Sequence, residues 1–131
     1  MSAVLLDTNI VSYILKRDTR ATAYAPHLKG KILTVSFMTV GELYQWAYTR
    51  NWGKQRIGLM ESELQKYFVF PFDIETCRIW GEIRANCQKM GRPISAQDAW
   101  IAATARQYKL SLITHNPDHF LVVADLEILT A

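Results

Sequence analysis

Short apolar runs, each too brief for a helix and each followed by a stretch of helical period, constrain this chain more than any other feature. Ala3-Val4-Leu5-Leu6 is continuous apolar sequence that stops at Asp7-Thr8-Asn9, the pattern of a buried strand opening into a helix. Residues 31–35 are apolar and β-branched, residues 67–72 are aromatic and strand-like up to Pro71, residues 110–114 form a further run, and residues 126–129 a last one. Helical patterns separate them. The first carries Ile10, Val11, Ile14 and Leu15 inward and stops near Lys16-Arg17-Asp18. Others cover residues 22–28 (closed by Gly30), 39–50, 54–66, 76–90 and 95–108, with a turn at Gly91-Arg92-Pro93. Unalternating apolar strands are buried on both faces, and strands alternating with helices make a parallel sheet between helical layers. The fold class read from the sequence is α/β.

With 131 residues, the chain is expected to form a single domain over 1–131 with a core that needs no staples. Half of the residues are hydrophobic and 21% charged, which excludes disordered, collagen-like and coiled-coil classes. Asp7 and Asn9 interrupt the most apolar early stretch well short of the roughly 18 residues of a membrane span, and no cationic segment precedes it as in a signal peptide. Cys77 and Cys87 fall ten residues apart on one expected helix, about 15 Å along its axis. A disulfide needs Cα atoms within about 7 Å, so two reduced thiols and a cytoplasmic setting are expected.

The positions of the acids carry the functional information. Asp7 follows the first strand directly, Glu42 follows the second by a few residues, Asp98 opens the helix at 95–108, and Asn116 and Asp118 follow the strand at 110–114. Helix capping accounts for each taken singly. Thr39-x-x-Glu42 and Ser95-x-x-Asp98 fit the capping box, Asp7 suits the N-cap of a helix starting near Thr8, and Asn116 suits one starting at Pro117. Taken together they point elsewhere. Residues just past the carboxyl ends of parallel strands gather along one edge, where open α/β sheets bind ligands. Three carboxylates within about 6 Å repel one another unless a proton or a cation intervenes. Hard oxygen donors suit Mg2+ or Mn2+, and such clusters serve phosphodiester hydrolysis.

The order of these motifs resembles that of the PIN-domain family, and specifically of VapC-like ribonuclease toxins of bacterial toxin–antitoxin pairs. Leu5-Leu-Asp-Thr-Asn-Ile10 resembles the family's opening strand with its first acid at Asp7, and Thr39-Val-Gly-Glu-Leu43 the helix supplying the second, Glu42. Ile94-Ser-Ala-Gln-Asp-Ala-Trp-Ile-Ala-Ala103 is similar to the family's most recognisable segment, with the third acid at Asp98. Leu112-Ile-Thr-His-Asn-Pro-Asp-His-Phe120 resembles the closing strand and loop, with Asn116 at a fourth position that holds an acid in many relatives. The resemblance spans essentially the whole chain. It implies a three-layer α/β/α sandwich with a central, mostly parallel sheet of four or five strands, and Mg2+- or Mn2+-dependent hydrolysis of RNA, foremost in a tRNA loop. Asp7, Asp98 and Glu42 would hold the metal, Glu42 would orient the attacking water, Asn116 would hold a water or the scissile phosphate, and Thr8 and Asp118 would support the cluster. It also implies a homodimer and a cognate antitoxin protein that blocks the acidic pocket.

The charge balance agrees with an RNA substrate. The formal net charge is +3; with three of the 12 acids facing a metal, 9 remain against 15 bases, a surface of +6. Arg17, Arg20, Arg50, Lys54, Arg56 and Arg92 fall in loops or at helix ends, placed to contact phosphates. His115 and His119 are four apart, but Pro117 between them argues against a zinc-binding helix pair. Phe37, Tyr44, Trp46, Tyr48 and Trp52 cluster around one helix and its following loop. The resemblance implies that this region helps form the homodimer and the antitoxin groove, so partly exposed Trp46 and Trp52 are expected there. A PIN-like RNA-binding or protein-interaction module without catalysis is the competing reading. A phosphotransfer receiver lacks its second acid after the first strand, and no Gly-x-Gly-x-x-Gly follows any strand for a dinucleotide.

Overall fold

The computed structural model describes residues 2–131, and its secondary structure follows the strand–helix alternation read from the sequence. Strand β1 (Ala3–Leu6) leads into α1 (Thr8–Leu15) and α2 (Arg20–Leu28), then β2 (Ile32–Ser36), α3 (Phe37–Thr49) and α4 (Lys54–Leu64). After β3 (Phe68–Phe70) come α5 (Ile74–Lys89), α6 (Ala96–Tyr108), β4 (Ser111–Ile113), a 3-10 turn (Pro117–His119) and β5 (Ile128–Leu129). The five strands form one sheet in the order β3-β2-β1-β4-β5, with every neighbouring pair parallel. No helix among the described residues is long and apolar enough to cross a membrane.

The strand pleat sorts the core into two layers. Val4 and Leu6 of β1 and Ile113 of β4 face one side, where they pack with Ile10, Val11, Tyr24, Leu43 and Met60 of α1 to α4. Leu5 and Leu112 face the other, where α5 and α6 bring Ile79, Ile83, Cys87, Ile101 and Ala102, and Phe120 closes the end. The result is the expected α/β/α arrangement, with a fully parallel sheet of five strands. Cys77 is exposed and Cys87 buried, both as free thiols.

Three helix starts differ from the sequence reading, and local chemistry explains two of them. Helix α3 begins at Phe37 because Ser36, the last residue of β2, accepts the Met38 N–H on its hydroxyl and acts as N-cap. Thr39 is therefore fully buried inside the helix, and the Thr39–Glu42 capping box does not form. Helix α5 starts two residues earlier than expected, capped by Asp73 in a box closed by Thr76 in place of the usual Glu or Gln. Helix α2 likewise starts at Arg20, two residues early. Helix α6 starts where expected, with the Ser95 hydroxyl accepting the Asp98 N–H.

The exposed aromatic face forms only in part. Trp46 is half-buried and Tyr48 exposed, but Trp52 is buried at 9% exposure beneath the Arg56 guanidinium. Phe37 leaves that group and packs against Phe72 and Trp100, at 5.0 and 5.4 Å between ring centroids.

Candidate active site

The parallel register brings Asp7 and Thr114 side by side. Leu6 pairs with Ile113, so the next residue of each chain segment emerges together at the carboxyl edge, where the Asp7 N–H donates to the Ile113 carbonyl at 2.9 Å. The Thr114 hydroxyl then donates to Asp7 Oδ2 at 2.8 Å, while Asp7 Oδ1 accepts the Thr8 N–H at 2.7 Å and caps α1. Capping and chemistry do not compete at Asp7, because each oxygen has its own task. The side chain is 5% exposed, an unusual place for a carboxylate with no basic partner.

Glu42 arrives from α3. The Thr8 hydroxyl donates to its Oε1 at 2.9 Å and lies 2.9 Å from the Thr39 hydroxyl, which is free to donate to it in turn. One residue thus ties two acids together, Asp7 through its backbone and Glu42 through its side chain. Asp98, in the first turn of α6, is half-buried with Oδ2 3.3 Å from His119 Nδ1. Asn116 is half-buried and donates its backbone N–H to the Thr114 hydroxyl at 3.0 Å, one hydrogen bond removed from Asp7. Asp118 is exposed and lines a shallow cleft with Arg92, Ser95, Asp98 and His119.

The three acids lie close enough for their charges to act on one another. Burial pushes the Asp7 carboxyl above its ordinary range; the hydrogen bonds from Thr114 and Thr8 act against this, and the Asp98 charge adds to it. Burial raises Glu42 too, the Thr8 hydroxyl opposes the rise, and the charges of Asp7 and Asp98 reinforce it. No Lys or Arg among the described residues pairs with any of the three. A concentration of hard oxygen donors with no Lys or Arg beside it fits a hard divalent cation in chemistry and charge. The acids do not close into a finished ligand shell, and no three His, Cys, Asp or Glu side chains among the described residues stand at metal-holding distances. Glu42 is turned onto Thr8 and Asp98 onto His119 instead.

His115 and His119 do not meet as a pair. The Nδ1 of His115 is bonded to the Tyr24 hydroxyl, and its ring stands edge-on to Tyr13 at 5.3 Å, whereas His119 belongs to Asp98. Of the basic residues singled out in the sequence, Arg92 lines the Asp98 cleft and Arg20 is bound to Asp18. Two residues of the site take roles that the sequence reading does not give them. Thr114 and Thr39 look like ordinary strand and helix residues, and only pairing across 107 and 31 positions gives their hydroxyls a role.

Comparison with known proteins finds relatives over nearly the whole chain. The PIN domain family matches residues 4–126. Ribonuclease VapC1 of Haemophilus influenzae strain R2866 is 32% identical over 125 residues, covering 94% of this chain and 93% of its own. The tRNA(fMet)-specific endonuclease VapC of Shigella flexneri is 27% identical over 126 residues, 96% of each chain. Among solved structures, VapBC-1 of nontypeable Haemophilus influenzae superposes with a TM-score of 0.84 at 31% identity, covering 98% of this chain and 97% of the other.

Proposed function

The chain belongs to the PIN-domain family and, within it, to the VapC-like ribonucleases, and on that premise we propose that it is a divalent-metal-dependent endoribonuclease acting as the toxin of a toxin–antitoxin pair. The observation that carries the reading is the buried Asp7 carboxyl, raised by burial and by the charge of Asp98, beside a Glu42 raised in the same way, with no Lys or Arg among the described residues paired to either. A protein that only bound RNA would gain nothing from holding unbalanced carboxylates next to its ligand's phosphates.

Asp7 and Asp98 would hold Mg2+ or Mn2+ directly, and Glu42 would do so directly or through water. The bound ion supplies an activated water and neutralises charge on the departing oxygen. Glu42 has Oε1 fixed by Thr8 and Oε2 free to accept a hydrogen bond from the attacking water and set its line of approach. The Asn116 side-chain amide, held at the edge by its own backbone bond to Thr114, would donate to a nonbridging phosphate oxygen. Attack in line at phosphorus breaks the bond to the ribose 3′ oxygen and leaves a 5′-phosphate without a covalent intermediate.

The substrate proposed is a single-stranded loop of tRNA, in keeping with the substrate named for the Shigella flexneri relative and with the basic balance of the remaining surface. The partner proposed is an antitoxin that covers the acidic edge with a cationic side chain. A homodimer is proposed in addition. The exposed apolar side chains available to it include Phe68, Phe72 and Ile74 around the edge strand β3 and the start of α5.

The test is cleavage of total tRNA by protein freed of any partner, with Mg2+ or Mn2+, beside EDTA and Asp98→Asn controls. Cleavage that requires the ion and disappears in the variant supports the reading. Absence of both cleavage and metal binding would refute it and leave the interaction module.

A further inference from the structure

The hydroxyl of Tyr24 is used in an unusual way. Tyr24 is fully buried and is the one buried side chain of α2 among the described residues. Its hydroxyl reaches the segment that carries the candidate site, meeting His115 Nδ1 as its shortest contact, with the Thr114 carbonyl at 3.4 Å and the Thr130 hydroxyl at 3.3 Å. His115 is exposed, so a buried tyrosine orients a surface imidazole. The ring is further confined by edge-on contacts to Tyr13 and Tyr24, at 5.3 and 5.7 Å between centroids.

We propose that Tyr24 is a positioning residue for the nuclease site, clamping the Thr114–Asn116 turn from the α2 side so that the Thr114 hydroxyl meets Asp7. The inference rests on the nuclease reading above. The path is short. The Tyr24 hydroxyl donates to the Thr114 carbonyl at 3.4 Å and stands within hydrogen-bond distance of His115 Nδ1 and the Thr130 hydroxyl, so it ties down both that carbonyl and the ring of the next residue. The Thr114 hydroxyl then has one direction in which it both donates to Asp7 Oδ2 and accepts the Asn116 N–H. Swinging the turn moves both residues at once, and displacement of about 1 Å in a catalytic group is enough to lower turnover strongly.

Tyr24→Phe keeps the ring in the core and removes only the hydroxyl; His115→Ala removes its principal partner at the surface, where folding is not at risk. Three readouts apply: steady-state cleavage of tRNA well below the unfolding temperature, Mn2+ affinity by calorimetry, and hydrogen exchange of the Asn116 amide in EDTA. Both variants are expected to lower kcat about ten-fold with KM within about two-fold, to weaken Mn2+, and to speed Asn116 exchange several-fold. Tyr44→Phe removes a tyrosine–carboxylate bond on the exposed face, Tyr44 to Glu61, and is expected to change none of the three. If the wild type cleaves and binds Mn2+ while Tyr24→Phe does both equally well, the positioning role is wrong and the nuclease reading stands. If the variant loses thermal stability alone, Tyr24 is a packing residue and the proposal falls. If the wild type neither cleaves nor binds Mn2+, the nuclease reading fails first and the positioning role falls with it.

Discussion

Replacing Asp7 with Asn should make the metal-free protein more stable, because a site built to hold a cation is strained without one. Asn keeps the shape of the side chain and its Oδ1 still accepts the Thr8 N–H, while the Thr114 hydroxyl can rotate to accept from the new amide. What disappears is a negative charge at 5% exposure, close enough to Asp98 and Glu42 for all three to repel. Keeping an ion in a poorly hydrated place costs several kcal/mol, while exchanging its two charge-assisted hydrogen bonds for neutral ones forfeits only about 1 kcal/mol each. The carboxylate also interacts favourably with the N-terminus of α1, by about 0.3–1 kcal/mol. The balance favours Asp7→Asn by about 1–2 kcal/mol near neutral pH, a rise in Tm of roughly 3–8 °C for a chain of this length.

The pH dependence gives the sharper test. Burial raises the folded-state Asp7 carboxyl above its ordinary 3.8, and Glu42 rises above 4.5. Folded protein therefore retains these protons to higher pH than unfolded protein does. The associated stability is complete below the unfolded values and is lost as pH rises through the folded ones. Wild type and variant should converge near pH 4 and separate towards pH 7.5, measured by urea unfolding in EDTA with tryptophan fluorescence. Added Mg2+ should then stabilise the wild type by mass action and leave the variant unchanged. A variant that is less stable at pH 7.5, or a difference that grows towards acid, would refute the account of Asp7 as a strained charge.

Two other outcomes follow from the same contacts. Thr8→Val removes the donor to Glu42 Oε1, which raises the Glu42 carboxyl further; cleavage at neutral pH should fall about 5–10-fold, and the acid limb of the rate profile should move to higher pH. Asp73→Ala removes the capping box of α5 and the bond to Gln107, at the opposite end of α6 from Asp98, and should cost about 1 kcal/mol in urea unfolding with turnover unchanged at a temperature well below Tm.

The division between local and distant information explains which features the sequence alone determined. An apolar run ending in a polar cap is a local signal, so β1 with Asp7, and the α6 start with Ser95 and Asp98, are legible from a few adjacent residues. The parallel sheet was legible for a related reason: uninterrupted apolar strands separated by helices have no other way to bury both faces. The start of α3 was not, because Ser36 serves at once as the last residue of a strand and as a helix cap. Trp52 was misjudged because burial depends on what folds over a loop, here the end of α1 and the first turn of α4.

The tertiary structure alone decided how the acids are held. Thr8 meets Glu42 across 34 positions, Thr114 meets Asp7 across 107, and Tyr24 meets His115 across 91. Hydroxyl groups on threonine and tyrosine carry no pattern that separates these roles from ordinary packing. Their hydrogen bonds exist only once the register of β1 against β4 sets Asp7 beside Thr114. The acids themselves could be proposed from the chain only as a set, in motifs of one order, because each taken singly is an ordinary capping residue. Their environment, burial on one side and mutual repulsion on the other, arises from strands and helices that are distant in sequence and adjacent only in the fold.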